Sequence, residues 1–202
     1  DNNITHTDIK RENLTINNNK ISLIDFGRAI IADGNKIPDI IYLFRLDFNI
    51  LPSIIIFNFV KKYTSENNLQ DNLKDILINH IDNPNSKRLI QDLETIFNMN
   101  TSDIYNLIVN LSMHTILEKK LLVEENLKQY CYKIYLHNLD LWGILYTYYN
   151  IIIIMLHKYP KDTKLLNRYE KICELIKEFI IKCFNEQINR KKFITVLKSL
   201  NN

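Results

Sequence analysis

The fold of this chain is decided by two short strings near its start, His6-Thr7-Asp8-Ile9-Lys10-Arg11-Glu12-Asn13 and Leu23-Ile24-Asp25-Phe26-Gly27. Their polar side chains are of the kinds that bind phosphate groups and hard metal ions: the carboxylates of Asp8 and Asp25, the ammonium of Lys10 and the amide of Asn13. This grouping makes the first 27 residues the candidate functional region.

The residues between the two strings predict a short antiparallel β-hairpin. Leu14-Thr15-Ile16 and Ile21-Ser22-Leu23-Ile24 are apolar or alternate, and Asn17-Asn18-Asn19-Lys20 between them favours a turn. Such a hairpin brings Asn13 at its entry close to Asp25 at its exit, so that two oxygen ligands face one point. Mg²⁺ suits this pair, because it takes one or two protein oxygens together with phosphate oxygens and water.

The pattern His6-x-Asp8-Ile-Lys10-x-x-Asn13, followed by Asp25-Phe26-Gly27, resembles the catalytic loop and metal-binding motif of eukaryotic-type protein kinases. The string Lys10-x-Glu-Asn13 is similar to the serine/threonine branch of that family. The resemblance implies that Asp8 orients the substrate hydroxyl and accepts its proton, and that Lys10 lies beside the transferred phosphoryl group. It also implies that Asn13 and Asp25 hold Mg²⁺ and, with Lys10, bind ATP.

Three further residues of the strings have supporting roles by the same resemblance. His6 is implied to be structural, tying the loop to Phe26, and Gly27 gives the backbone freedom after the metal ligand. Thr7 departs from the pattern, since many kinases have arginine there. That arginine usually pairs with a phosphorylated activation loop, so we do not expect this kind of control here.

The length and composition predict a globular intracellular protein. The sequence has 202 residues, 46% of them hydrophobic, which is enough for a buried core. A net charge of +3 makes no case for nucleic acid or a membrane surface as a partner. The longest strongly apolar run, Ile151 to Leu156, is far shorter than the roughly 20 residues of a spanning helix. We therefore expect a cytoplasmic or intracellular protein, in the host cytoplasm if the gene is viral.

The three cysteines predict neither a zinc site nor a disulfide framework. Cys131, Cys173 and Cys183 are scattered in apolar surroundings without paired spacing. We therefore expect the protein to reside in a reducing compartment.

The resemblance covers a kinase large lobe and begins at residue 6. No glycine-rich loop, strand lysine or helix glutamate of a kinase small lobe occurs in the sequence. We therefore expect a mainly α fold with a small β-hairpin, a protein-kinase-like large lobe (α+β) that is inactive alone. The small lobe is expected upstream in the same chain or on a second chain.

The chain divides into three parts. Residues 1–37 hold the catalytic loop, hairpin and metal motif, and Asp33-Gly34-Asn35 is predicted to form a turn. In the kinase family, the activation segment that follows the metal motif usually ends with an Ala-Pro-Glu-like string. No such string occurs in this sequence. Residues 38–135 are predicted to be a helical insertion, or else an ordinary part of the lobe rearranged, and 136–202 to be C-terminal helices.

Apolar spacing predicts helices in the middle part over Ser53 to Tyr63, Leu69 to Ile81, Lys87 to Phe97 and Thr101 to Leu122, the last beginning at the cap Thr101-Ser102-Asp103.

Two aspartates compete for the buried helix that supports the catalytic loop in kinases. Leu139-Asp140-Leu141-Trp142-Gly143 resembles the family's Asp-x-Trp pattern, whose aspartate accepts hydrogen bonds from backbone amides of the loop. The rival is Asp47 in Arg45-Leu46-Asp47-Phe48-Asn49, and we favour Asp140. Arg190 lies where a kinase arginine supports the activation segment through a glutamate, although it could equally be a solvated surface residue.

Phosphoryl transfer from Mg²⁺-ATP to serine or threonine hydroxyls of a protein substrate is the function that the resemblance implies. Two alternatives stay open. One is a catalytically inactive kinase-fold scaffold or binding protein, and the other is a small-molecule kinase of the aminoglycoside or choline type. Asp47 as the anchor of the loop would favour the small-molecule kinase, whereas Lys10 and Phe26-Gly27 favour a protein kinase.

Overall fold

The computed structural model describes residues 4–18, 20–31, 36–44, 46–47, 50–80 and 84–200. Across these ranges the chain is mainly helical with two small antiparallel sheets, which confirms the predicted mainly α class with a β-hairpin. The predicted turn Asp33-Gly34-Asn35 lies outside the described residues, as do Ile81 at the end of a predicted helix and three residues of the string around Asp47: Arg45, Phe48 and Asn49.

The predicted hairpin is present near the start of the chain. Strand β1 covers Ile4–Thr5, β2 covers Leu14–Asn17 and β3 covers Lys20–Leu23, with β2 and β3 antiparallel. Their register pairs Leu14 with Leu23 and Asn17 with Lys20.

A second sheet was not predicted from the sequence. Strand β4, Ile30–Ile31, pairs antiparallel with β1, so that Thr5 lies opposite Ile30. The chain that enters the His6 loop therefore runs beside the chain that leaves the Asp25 segment. Three 3₁₀ turns complete this region, at Arg11–Asn13, Phe26–Arg28 and Asp39–Leu43.

Four helices follow in the middle part of the chain, close to the predicted bounds: α1 Ile54–Lys62, α2 Leu69–His80, α3 Pro84–Phe97 and α4 Thr101–Lys119. The predicted cap of α4 is wrong by one residue. The side chain of Asn100, and not that of Thr101, accepts a hydrogen bond from the amide of Asp103. Asparagine is a somewhat better cap than threonine, and helical spacing alone did not separate the two positions.

A fifth helix, α5 Glu124–Tyr130, ends the middle part, and the C-terminal part contains α6 Leu136–Lys158, α7 Thr163–Cys183 and α8 Arg190–Ser199. A π-helical turn, Cys131–Tyr135, joins α5 to α6. The fully buried side chain of Trp142 on α6 packs against Tyr146, with ring centroids 5.4 Å apart, and against Phe179 of α7 at 5.9 Å. Helices of the middle and C-terminal parts share one hydrophobic core, since α3 packs on both α4 and α7.

The continuous helical segment Glu124–Lys158 is, within the described ranges, long and apolar enough to span a membrane by length and composition. From the sequence we considered only the short run Ile151 to Leu156, and so we did not identify this longer apolar helix. Half of the segment's most apolar window is buried inside the protein, as in a core helix of a soluble protein.

Candidate active site

The loop that carries Asp8 is attached to α6 through the partly buried carboxylate of Asp140. The backbone amide of His6 donates to Asp140 Oδ2 at 2.9 Å, and the amide of Thr7 donates to Asp140 Oδ1 at 3.0 Å. Burial raises the pKa of Asp140, while these two hydrogen bonds and the nearby charge of Arg190 act in the opposite direction. This is the contact that the kinase resemblance implies for Asp140.

Asp47, the rival for this position, has a different environment. Its Oδ2 accepts a hydrogen bond from the side-chain amide of Asn85, at 3.2 Å, at the start of α3. Both loop amides that a helix aspartate could bind are already bonded to Asp140. Of the two candidates, Asp140 holds the loop.

A close approach between Gly143 and Ile9 brings α6 against the middle of the loop. A Cβ atom at Gly143 would lie 2.8 Å from Ile9 Cβ and 3.0 Å from Ile9 O, so only glycine fits without a shift. The hydroxyl of Thr147, one turn further along, reaches the same Ile9 carbonyl at 3.5 Å. In the sequence, Gly143 belongs to the Asp-x-Trp string and no contact was assigned to it, although an isolated glycine in a helical pattern can mark a packing site.

Three predicted site residues meet at one carboxylate oxygen. Lys10 Nζ lies 3.0 Å from Asp8 Oδ2, and Asn13 Nδ2 donates to the same oxygen at 3.1 Å. Asn13 Nδ2 also donates to the backbone carbonyl of Asp8 at 2.8 Å. Asp8 and Asn13 are both 5% exposed, so this cluster is held inside the protein and not in a solvated turn.

His6 occupies the structural position that the resemblance implies. Its Nε2 lies 3.0 Å from the carbonyl of Ile24, so Nε2 carries the proton, and its Nδ1 accepts from the amide of Asp8 at 3.4 Å. The imidazole ring meets the Phe26 ring edge-on with centroids 4.6 Å apart. One buried side chain thereby contacts the loop, the end of the hairpin and the metal motif.

Asp25 follows the hairpin directly and is exposed. The amide of Ile24 donates to the carbonyl of Asn13 at 2.9 Å, which extends the hairpin to the residue before Asp25. Asp25 has left-handed backbone angles, φ 61° and ψ 68°, and its Oδ1 accepts from the amide of Gly27 at 3.4 Å. Aspartate enters this region more readily than most non-glycine residues, and such positions occur in turns, at helix ends and at functional sites.

The side chains of Asn13 and Asp25 fit Mg²⁺ by their chemistry. Both Nδ2 hydrogen bonds of Asn13 point to Asp8, which leaves its Oδ1 as the group available to a cation. In the described part of the chain, no group of three or more His, Cys, Asp or Glu residues could hold a metal ion. A site with two protein oxygens matches Mg²⁺, which keeps phosphate and water ligands, better than it matches zinc.

Arg190 is the one predicted site residue that the structure does not join to the others. It is the first residue of α8 and is exposed, and it makes no hydrogen bond or ion pair with any residue in the described ranges. Burial raises the pKa of Asp140 and lowers that of His137, and the charge of Arg190 opposes the first shift and adds to the second.

Comparisons of this chain with protein-family models, with curated proteins and with solved structures gave no match.

Proposed function

We propose that this chain is the large lobe of a serine/threonine protein kinase, which transfers the γ-phosphoryl group of ATP to a hydroxyl group of a protein substrate. The observation that carries this proposal is the meeting of Lys10 and Asn13 at Asp8 Oδ2, at 3.0 and 3.1 Å. Phosphoryl transfer needs an acceptor for the hydroxyl proton, a cation for the phosphoryl oxygens and an oxygen ligand for the metal ion. In this proposal Asp8, Lys10 and Asn13 supply them.

Asp8 acts on the attacking group in this proposal. Its carboxylate accepts a hydrogen bond from the substrate hydroxyl and aligns that oxygen with the γ-phosphorus. As the new oxygen–phosphorus bond forms and the bond to ADP breaks, the hydroxyl proton passes to Asp8. The ammonium of Lys10 neutralises charge on the transferred group, and it is already held at 3.0 Å from Asp8.

Asn13 and Asp25 hold Mg²⁺ in this proposal, through Asn13 Oδ1 and the Asp25 carboxylate. Bound Mg²⁺ supplies charge neutralisation of the ATP phosphates. The chain's own contribution is to fix both oxygens, since Asn13 is buried with both its Nδ2 hydrogen bonds on Asp8, and Asp25 is held at the end of the hairpin.

A protein kinase is favoured over a small-molecule kinase by the residue that anchors the loop. Asp47 as the anchor would have favoured a small-molecule kinase, and the loop amides of His6 and Thr7 bond to Asp140 instead. The presence of Lys10 and of Phe26-Gly27 supports the same choice.

The part of a kinase that covers the ATP phosphates is proposed to come from residues outside the printed sequence. The sequence has three glycines, Gly27, Gly34 and Gly143, and no two of them are close enough to form a glycine-rich loop. An intracellular location fits this function, because ATP and protein substrates are both present there.

The experiment uses the full-length gene product with labelled ATP and Mg²⁺, offered either a mixture of serine- and threonine-containing proteins or aminoglycosides and choline. We expect label on protein serine and threonine, and its loss in Asp25→Ala. The matched control is Asp75→Ala, an exposed aspartate on α2. Label on the small molecules alone, or normal transfer by Asp25→Ala, would contradict the proposal. ATP binding without any transfer would favour the scaffold alternative.

A further inference from the structure

Thr7 has a strained backbone in the most buried part of the loop. It is 1% exposed, and its φ is 65°, in the left-handed region that β-branched residues rarely adopt. Such a conformation persists only where surrounding contacts fix it. Two hydrogen bonds do so here, one from the Thr7 amide to Asp140 and one from its hydroxyl.

The hydroxyl of Thr7 connects the loop to the turn that follows Asp25. Thr7 Oγ1 donates to the backbone carbonyl of Arg28 at 2.8 Å. Arg28 is the last residue of the 3₁₀ turn Phe26–Arg28, all three residues of which are exposed. Among the described residues, the turn is also attached by the ring contact of Phe26 with His6, by the bond from the Gly27 amide to Asp25 Oδ1, and by the internal bond from the amide of Ala29 to the carbonyl of Phe26.

Asp25 is consequently held on both sides by adjacent residues of one loop. His6 Nε2 bonds the carbonyl of Ile24, immediately before Asp25, and Thr7 Oγ1 bonds the carbonyl of Arg28, three residues after it. Both donors belong to the same buried loop as Asp8. The positions of the two carboxylates are therefore coupled through the pair His6-Thr7.

We propose that Thr7 is a positioning residue that fixes Asp25 relative to Asp8, and that this attachment is permanent and needs no phosphorylation. An arginine at this position pairs most strongly with an anionic partner, such as a phosphate group. A threonine hydroxyl needs only the carbonyl of Arg28, which is always present. This inference rests on the proposed function for its effect on activity, while the attachment itself can be tested without it.

The test compares three variants in the full-length gene product. Thr7→Val removes the hydroxyl and keeps the shape and β-branching, Thr7→Ser keeps the hydroxyl, and Thr7→Gly removes the hydroxyl while relaxing the backbone. The first readout is hydrogen exchange of the Ala29 amide, which closes the turn. We expect exchange about three to ten times faster in Thr7→Val and Thr7→Gly, the range for one lost hydrogen bond, and close to wild type in Thr7→Ser.

The second readout is the Mg²⁺ concentration for half-maximal phosphoryl transfer at saturating ATP. We expect it to rise about three- to tenfold in Thr7→Val and Thr7→Gly, with Thr7→Ser close to wild type. Treatment of the wild-type protein with a phosphatase is expected to leave this concentration unchanged.

Several outcomes would overturn the inference. Equal effects of Thr7→Ser and Thr7→Val would show that backbone or packing, and not the hydroxyl, matters at this position. Wild-type exchange at Ala29 in both hydroxyl-free variants would show that the bond does not hold the turn. A Mg²⁺ requirement that rises after phosphatase treatment would show that the attachment is not permanent. If Thr7→Val does not fold, the comparison of Thr7→Gly with Thr7→Ser tests the role of the hydroxyl. If no phosphoryl transfer is detected in any protein, hydrogen exchange at Ala29 tests the attachment by itself.

Discussion

The backbone amide of His6 donates a hydrogen bond to the carboxylate of Asp140, 134 residues further along the chain. With the neighbouring bond from Thr7, it fixes the first two residues of the loop to the side of α6 that also carries Gly143. The geometry around Asp8 therefore depends on a helix that is remote in sequence, and this dependence can be tested at both residues of α6.

The first prediction concerns the carboxylate of Asp140. In Asp140→Asn one of the two acceptor oxygens becomes an amino group, so one of the two loop amides loses its partner in a buried place. An unsatisfied buried donor costs about 1–3 kcal/mol. We expect the free energy of unfolding in urea to fall by about this amount and the amides of His6 and Thr7 to exchange faster. The exposed Asp75→Asn serves as the control, and equal stability of the two variants would contradict the prediction.

The second prediction concerns the close approach at Gly143. In Gly143→Ala the new methyl group meets Ile9 at 2.8 and 3.0 Å, so the loop has to move away from α6. The overpacking cost of about 1–3 kcal/mol exceeds the gain of up to about 1 kcal/mol from replacing glycine in a helix. We expect a lower melting temperature and reduced phosphoryl transfer. Ile154→Ala, at an exposed position of α6, controls for substitution in that helix, and a Gly143→Ala protein more stable than wild type would contradict the packing shown here.

The third prediction concerns the pH dependence of stability through Asp92 on α3. Burial raises the pKa of this carboxyl, and the hydrogen bond from Tyr146, the charge of Arg88 and a bond from Tyr149 oppose the shift only in part. An acid with a raised pKa binds more protons in the folded state, so its contribution to stability falls as pH rises above the ordinary value of 3.8.

Asp92→Asn isolates this contribution, because the other carboxyl groups are common to both proteins. We expect the unfolding free energy of wild type minus that of Asp92→Asn to decrease as urea titrations are repeated at increasing pH. A difference that is constant, or that increases with pH, would contradict the assigned direction of the shift.

Much of the fold was predictable because it depends on local patterns. The hairpin between Asn13 and Asp25 follows from two apolar runs around an asparagine-rich turn, and its register is the one those runs allow. The helices of the middle part follow from three- and four-residue spacing, which is typical of one buried face. The cap at Asn100 differed from the predicted one because neighbouring Asn and Thr residues are both good caps.

The parts that sequence reasoning missed depend on residues far apart in the chain. The pairing of β1 with β4 involves strands of two residues each, which are too short to give a periodic signal. The glycine at position 143 could mark a packing site from its place in a helical pattern, but its partner Ile9 lies 134 residues earlier and no local pattern identifies it. Likewise, the sequence showed only that Thr7 differs from the arginine that many kinases have at this position. Its hydrogen bond to the carbonyl of Arg28 is visible only in the structure.

The most direct test of the account is the turnover of Asp8→Asn compared with wild type in the full-length gene product, with Mg²⁺-ATP affinity measured on both. Asparagine keeps the size of Asp8 and one acceptor oxygen that can face Lys10 and Asn13, but it carries no negative charge and cannot accept the hydroxyl proton. If Asp8 aligns and deprotonates the hydroxyl, kcat for transfer falls about 10²–10⁴-fold while ATP affinity stays within a few-fold of wild type. Wild-type turnover by Asp8→Asn would contradict the central claim that this loop carries out phosphoryl transfer.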